Sequence, residues 1–284
     1  MLNFVIALKA EANPLINAFK LQHQPNNHFP LYTSENKTLI VSGMGRNRAA
    51  AATAWLAASY PAGAWLNVGI AGHANHDVGT LLAAHKITEY KTDKSWYPVH
   101  IKSPVTTESL TTFDAVQRHY LPNSLHDMEA SAFYETALRF SSAELTHSVK
   151  IVSDNIDTPV DTLDKTRVEN LVKHQIGEIT DFCKHLCNLA NDADTKVSAQ
   201  VVDLYLAHWN FTVTQKHQLQ RLLQRRVALG LAPDLALEES PDALTHTDSV
   251  ASRPTLPNDV VQLSDSKAVL RWLQRDTDTK GRFY

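Results

Sequence analysis

Apolar runs suited to buried strands, each leading through glycines or polar residues into a segment of helical period, recur along the first part of the chain. LNFVIAL at 2–8 predicts a strand, and AEANPLINAF after it a helix with a polar first turn. TLIVSGMG at 38–45 repeats the arrangement, its strand passing through glycines into the alanine-rich helix NRAAAATAWLAAS. AWLNVGIAGHA at 64–74 and GTLLAAHKITEY at 79–90 predict two more strands. Beyond them VHIKSPV reads as a strand, FDAVQRHY and DMEASAFYETALRF as helices, VKIVSD at 148–153 as a strand, and 163–190 as one long helix. Strands alternating with helices imply an α/β fold: a three-layer sandwich with a mixed, mostly parallel central sheet covered on both faces.

After about residue 195 the pattern changes. SAQVVDLYLAHWNF and TVTQKHQLQRLLQRRVALG predict amphipathic helices, and SDSKAVLRWLQRD a short capped one. Between them LAPDLALEESPDALTHTDSVASRPTLPND is acidic, aperiodic and interrupted by prolines. The expected division is an α/β domain over 1–195 and a mainly helical extension over 196–284, with a loop at about 231–262. Arg221, Arg225 and Arg226 form a basic stripe suited to a solvated helix face or an oligomer contact.

Charge removes several function classes. The 284 residues carry 27 Lys plus Arg against 30 Asp plus Glu, a net charge of −3, so no basic footprint for nucleic acid or anionic membrane is present. No stretch approaches the roughly 18 apolar residues of a membrane span, and MLNFVIALKAEANP lacks a basic leader. The expectation is a soluble, cytoplasmic protein. Cys183 and Cys187 lie one helical turn apart, but His185 is two residues from each and points elsewhere, so both read as core thiols. The 14 histidines are scattered rather than spaced as ligand pairs, and neither a metal nor a cofactor is expected.

In α/β sheets ligands collect at the carboxyl ends of strands. That rule selects the loops at 8–11, 43–48, 68–73 and 153–154, and the turn before Asp127. Within LHDMEASAF at 125–133, a helix dipole would account for Asp127 and Glu129 as first-turn acids. It accounts neither for the Met128 between them nor for the small residues that follow. Taken singly, Glu11 is an ordinary early-turn acid and Asp154 can cap the next turn. Arg46 and Arg48 follow a glycine turn at a helix N-terminus, a place for an anion and equally for surface arginines.

Taken together, these loops resemble, in matching order over roughly residues 2–190, the nucleoside phosphorylase and nucleosidase superfamily, and most closely its methylthioadenosine/adenosylhomocysteine nucleosidases. The resemblance implies hydrolysis of the N-ribosidic bond of an adenosine-type or 5'-thioether nucleoside, with release of the base. It assigns Glu11 to activation of water, Met128 and Glu129 to the ribose, and Asp154 with Ser153 to purine N7. Gly69, Ile70 and Gly72 fall in the third glycine loop beside the substrate, and Arg46 on the substrate side. Asn67 and Ile70 stand where the family's phosphorylases carry an Arg and a Ser for phosphate, which favours water as the nucleophile. A phosphorolytic enzyme using Arg46 and His73 is one alternative; a binding protein on the same fold is another. The short spacing between the third glycine loop and Met128 resembles the family's shorter members, such as those acting on adenosylated hopanoids, and leaves base and 5' group open. The resemblance also implies a homo-oligomer, expected as a dimer.

Overall fold

The computed structural model describes residues 1–26, 28–60, 63–99, 103–196, 199–228, 231, 256 and 258–280. In chain order the first part runs β1 (Leu2–Ile6), α1 (Lys9–Ala18), β2 (Gln22–Gln24), β3 (Leu31–Thr33), β4 (Lys37–Val41), α2 (Arg46–Ser59), β5 (Ala64–Gly72) and β6 (Leu81–Glu89). It continues with β7 (Lys94–Trp96), β8 (Thr107–Thr112), β9 (Ser124–Asp127), α3 (Ala130–Ala137), β10 (Thr146–Asp154), α4 (Lys165–His174) and α5 (Ile176–Lys196).

β1 shows why helices cover both faces. Leu2, Phe4 and Ile6 enter a core shared with Leu15, Val172 and Phe182 of α1, α4 and α5. Val5 enters the opposite core, with Leu56 of α2 and Phe133 of α3. A strand of period two buried on both faces must be apolar at nearly every position, as LNFVI is. Cys183 is buried in the first core and Cys187 packs against it.

The sheet departs from the expected open layer by closing on itself. β5 pairs in parallel with β1 through Leu2↔Ala64 to Val5↔Asn67, and further along the same edge meets β9 at Gly72↔His126. Its other edge pairs with β10, which runs antiparallel to β6; β6 pairs with β8 and β8 with β9. Five strands, β5, β10, β6, β8 and β9, therefore form a closed ring, while β1, β4, β3 and β2 extend from β5 as an open wing. Register shifts at Val152/Asp154 and Ala84/Lys86 bend the strands toward closure.

Three local expectations are corrected. FDAVQRHY is not a helix: 113–120 form bends between β8 and β9. VHIKSPV falls partly outside the described residues, and its described positions, 99 and 103–105, are not in a strand; the strand is the following TESLTT. The predicted helix over 163–190 is divided at Gln175 into α4 and α5.

Contacts divide the chain into the units Met1–Ala190 and Asn191–Tyr284. The second contains α6 (Ala199–His208), α7 (Val213–Ala228), α8 (Asn258–Val261) and α9 (Ser266–Lys280), around a core of Tyr205, Trp209, Leu219, Leu223 and Leu273. Arg226 is buried against Asp276 at 2.5 Å and Arg225 pairs with Asp278 at 2.7 Å, so these two members of the basic stripe serve packing within the unit. Of the expected loop at about 231–262, residues 232–255 and 257 lie outside the described residues, and α8 occupies its end. Among the described residues no helix is long and apolar enough to cross a membrane.

Candidate active site

A cavity of about 710 Å³ opens at the carboxyl ends of β1, β5, β9 and β10. Glu11, Ile70, Gly72, Met128, Glu129, Ser153 and Asp154 all line it, so seven residues chosen from separate loops meet in one place. Gly69 lies behind them, where a Cβ would stand 3.0 Å from Glu11 Oε1.

Glu11 sits in the first turn of α1 with its carboxylate turned inward. Oε2 accepts from the Leu8 N–H at 2.8 Å and Oε1 from the Ile70 N–H at 2.9 Å. Burial holds its carboxyl above the ordinary range, against the opposing pull of those N–H groups and of Lys150. Asp127 is not a first-turn acid but the last residue of β9. It accepts from Thr112 Oγ1, the Ala130 N–H and Lys150 Nζ, at 2.7, 2.8 and 2.9 Å. Glu129, the N-cap of α3, accepts from the Gly45 N–H at 2.7 Å. Gly45 needs its φ of +99° to aim that N–H, a conformation costly for residues with a Cβ.

Burial, and then the Asp127 charge, pushes Glu129 up to about 7, while Lys150 works the other way. Because this folded-state value lies above 4.5, the unfolded chain releases its proton first as pH rises, and stability falls between 4.5 and about 7. Glu129→Gln should therefore gain stability relative to wild type as pH rises from 4.5 to 8. Thermal melts at the two pH values measure the difference.

Lys150 is the part of the site that the sequence pattern does not single out. Its side chain is fully buried, and its ammonium faces Asp127, Glu129 and Glu11 together. Burial opposes the charge, yet the three carboxylates outweigh it and hold the ammonium above its ordinary value. The signal was present in VKIVSD, where one lysine interrupts an otherwise apolar buried strand and must find partners.

At the other side of the cavity Ser153 Oγ donates to Asp154 Oδ1 at 2.5 Å, and the Tyr120 hydroxyl donates to Oδ2 at 2.6 Å. Gly72 permits this arrangement, since a Cβ there would lie 2.7 Å from both Asp154 Oδ2 and Tyr120 Cε1. His126 lines the same end and accepts from the Leu121 N–H through Nε2 at 2.9 Å. Burial, and then the nearby His73, lowers it to about 4, so the ring is neutral at pH 7.

Arg46 is not brought into the group. Its guanidinium pairs with Glu89 and, at 3.3 Å, with Asp114, away from the cavity lining. His73, His76 and Glu108 bring one ligand atom each within 4.8 Å of one another, the spacing of a metal site. Protonation argues against that use. His73 Nδ1 accepts the Asn75 and His76 N–H groups at 3.1 and 3.0 Å, so in the neutral ring the hydrogen is on Nε2, the atom that would have to ligate.

No protein-family model and no curated protein matches the chain. Solved structures do. A 5'-methylthioadenosine nucleosidase of Arabidopsis thaliana matches with a TM-score of 0.57 at 17% identity, over 65% of this chain and 95% of that one. The methylthioadenosine/S-adenosylhomocysteine nucleosidase of Streptococcus pneumoniae gives 0.53 at 17%, over 65% and 99%. A futalosine hydrolase mutant of Helicobacter pylori gives 0.50 at 12%, over 64% and 98%. The α/β unit of this chain has the fold of these nucleosidases and of the futalosine hydrolase.

Proposed function

We propose that the α/β unit hydrolyses the N-ribosidic bond of a purine nucleoside, of adenosine type or carrying a 5'-thioether, with water as the nucleophile. The observation that carries this reading is the convergence of Glu11, Glu129 and Asp154 on one cavity that Met128 also lines. Glu11, fixed by two backbone N–H groups, accepts a proton from water as its oxygen bonds to the anomeric carbon. The electrons of the breaking C–N bond pass to the base, whose N7 takes a proton from Asp154; Asp154 is reprotonated from the medium as Glu11 gives up the proton it took from water. Glu129 accepts hydrogen bonds from the ribose hydroxyls, and Met128 packs against the sugar. Developing positive charge on the ribose is stabilised by the carboxylates around it.

The same charges disfavour phosphate. Lys150, the cation beside Glu11, is already bound to Asp127 and faces two further carboxylates, so its charge is taken up within the protein. Arg46 and His73, the two groups a phosphorolytic reading requires, do not line the cavity. Incubation with methylthioadenosine, adenosylhomocysteine, adenosine, inosine and uridine, with and without phosphate, is expected to release purine at equal rates in both conditions. Release that requires phosphate would replace water as the nucleophile, and silence across the panel would remove the nucleosidase reading.

A further inference from the structure

Asp154 does not wait with a free oxygen. Ser153 donates to one of its oxygens and Tyr120 to the other, so the carboxylate assigned to the leaving base already has a partner. That partner is a flat aromatic ring. It rests against Gly72, where the missing side chain gives it room, and its centroid lies 5.7 Å from that of His126. Its hydroxyl is a dependable donor, because burial and the adjoining carboxylate push the phenol above its ordinary value. The His126 ring, through its bond from the Leu121 N–H, pins the backbone next to Tyr120.

A purine protonated at N7 would present to Asp154 the same two features: a planar aromatic face and one N–H donor. We propose that Tyr120 is an internal stand-in for the departing base, occupying Asp154 Oδ2 beside Gly72 and yielding both to the purine. The inference rests on the nucleosidase reading and goes beyond it. Tyr120 is half-buried and lies in the bends between β8 and β9, so its ring can leave without disturbing a regular element. Substrate must displace it on entry, and its return competes with free base on exit. Tyr120 thus raises the KM and eases product release, without contacting the bond that breaks.

The prediction concerns affinity for the base. In Tyr120→Phe the ring remains but its claim on Asp154 is gone, so free adenine should bind about tenfold tighter than to wild type, or ~1.4 kcal/mol. KM should fall in parallel while kcat stays level or drops slightly as product release slows. Tyr120→Ala, which empties the space as well, should also bind adenine more tightly than wild type. Calorimetry with free adenine and with hypoxanthine on the three full-length proteins decides the matter, with circular dichroism melts confirming that each is folded. Equal affinities in all three, or a lower kcat in Tyr120→Phe with unchanged adenine binding, would overturn the stand-in role and leave the nucleosidase reading in place. No purine bound by any of the three would overturn both, since Tyr120→Ala leaves the base end open.

Discussion

Glu11→Gln is expected to lower base release by about 10² to 10⁴, the usual range for loss of a positioned general base, while nucleoside binding changes little. Glutamine keeps the shape but not the acceptor pattern. Its carbonyl oxygen can serve either the Leu8 or the Ile70 N–H, and its NH₂ then confronts the other donor. That mismatch should cost about 1–3 kcal/mol of stability, measurable separately by denaturant titration. The pH profile of the wild type supplies the complementary test. A base whose carboxyl is held above its ordinary range works only once ionised, so kcat/KM should rise with pH on the acid side. This limb lies above the ordinary value of 4.5, and Glu129, pushed up to about 7, titrates with it in the same field. A rate already at its plateau at pH 4.5 would remove Glu11 from the mechanism.

The second large effect is expected at Lys150. Lys150→Met keeps the unbranched stem of the side chain and deletes the buried cation that Glu11, Asp127 and Glu129 share. Removing one partner from a buried ionic group strands the others, at a cost of about 3–5 kcal/mol. The sign with pH follows from the direction of the shift. A lysine held above its ordinary 10.5 in the folded protein contributes its stability below that value and loses it as pH rises through the folded one. The deficit of Lys150→Met should thus be fully developed at pH 7 to 8 and shrink in strong alkali. Both Glu11 and Glu129 lose a charge that favours their ionised forms, so the acid limb of the rate should move to higher pH. Urea titrations at pH 7.5 and a kcat/KM profile for the variant measure the two effects independently. Wild-type stability at pH 7.5 would show that Lys150 is not the counter-charge of this site.

Much of the site was legible because the loops after apolar strands carry it, and the strands themselves were visible as apolar runs. Glu11, the Met128–Glu129 pair and Ser153–Asp154 were found in this way, each following its strand directly. Lys150 and Tyr120 were not, for opposite reasons. Lys150 lies inside a strand, where attention goes to apolar neighbours, and its meaning depends on carboxylates from α1, β9 and the start of α3. Tyr120 lies in a segment whose helical spacing was not realised, since the chain there only bridges two strands. Barrel closure escaped for a related reason. TESLTT and SLHD are short and largely polar, and their Thr111 and Ser124 hydroxyls bond to each other at 2.8 Å, so burial there is satisfied by hydrogen bonds instead of announced by hydrophobicity. Arg46 lies elsewhere: α2 begins at this residue, and Glu89 and Asp114 hold its charge.

Closure of the ring also bears on how copies of this unit can meet. Strands within a ring have partners on both sides, so the wing ends at β2, while β7 hangs from β6. Both are three residues long, QHQ and KSW, and, Trp96 apart, carry polar or charged side chains. Such margins offer too few free amides in a row to template a neighbouring chain, and a lysine on one of them repels its own copy. Along the described edges, contact between copies of this unit would rest on side chains of helices and loops, where single substitutions can tune it, and not on continued backbone pairing from one molecule to the next.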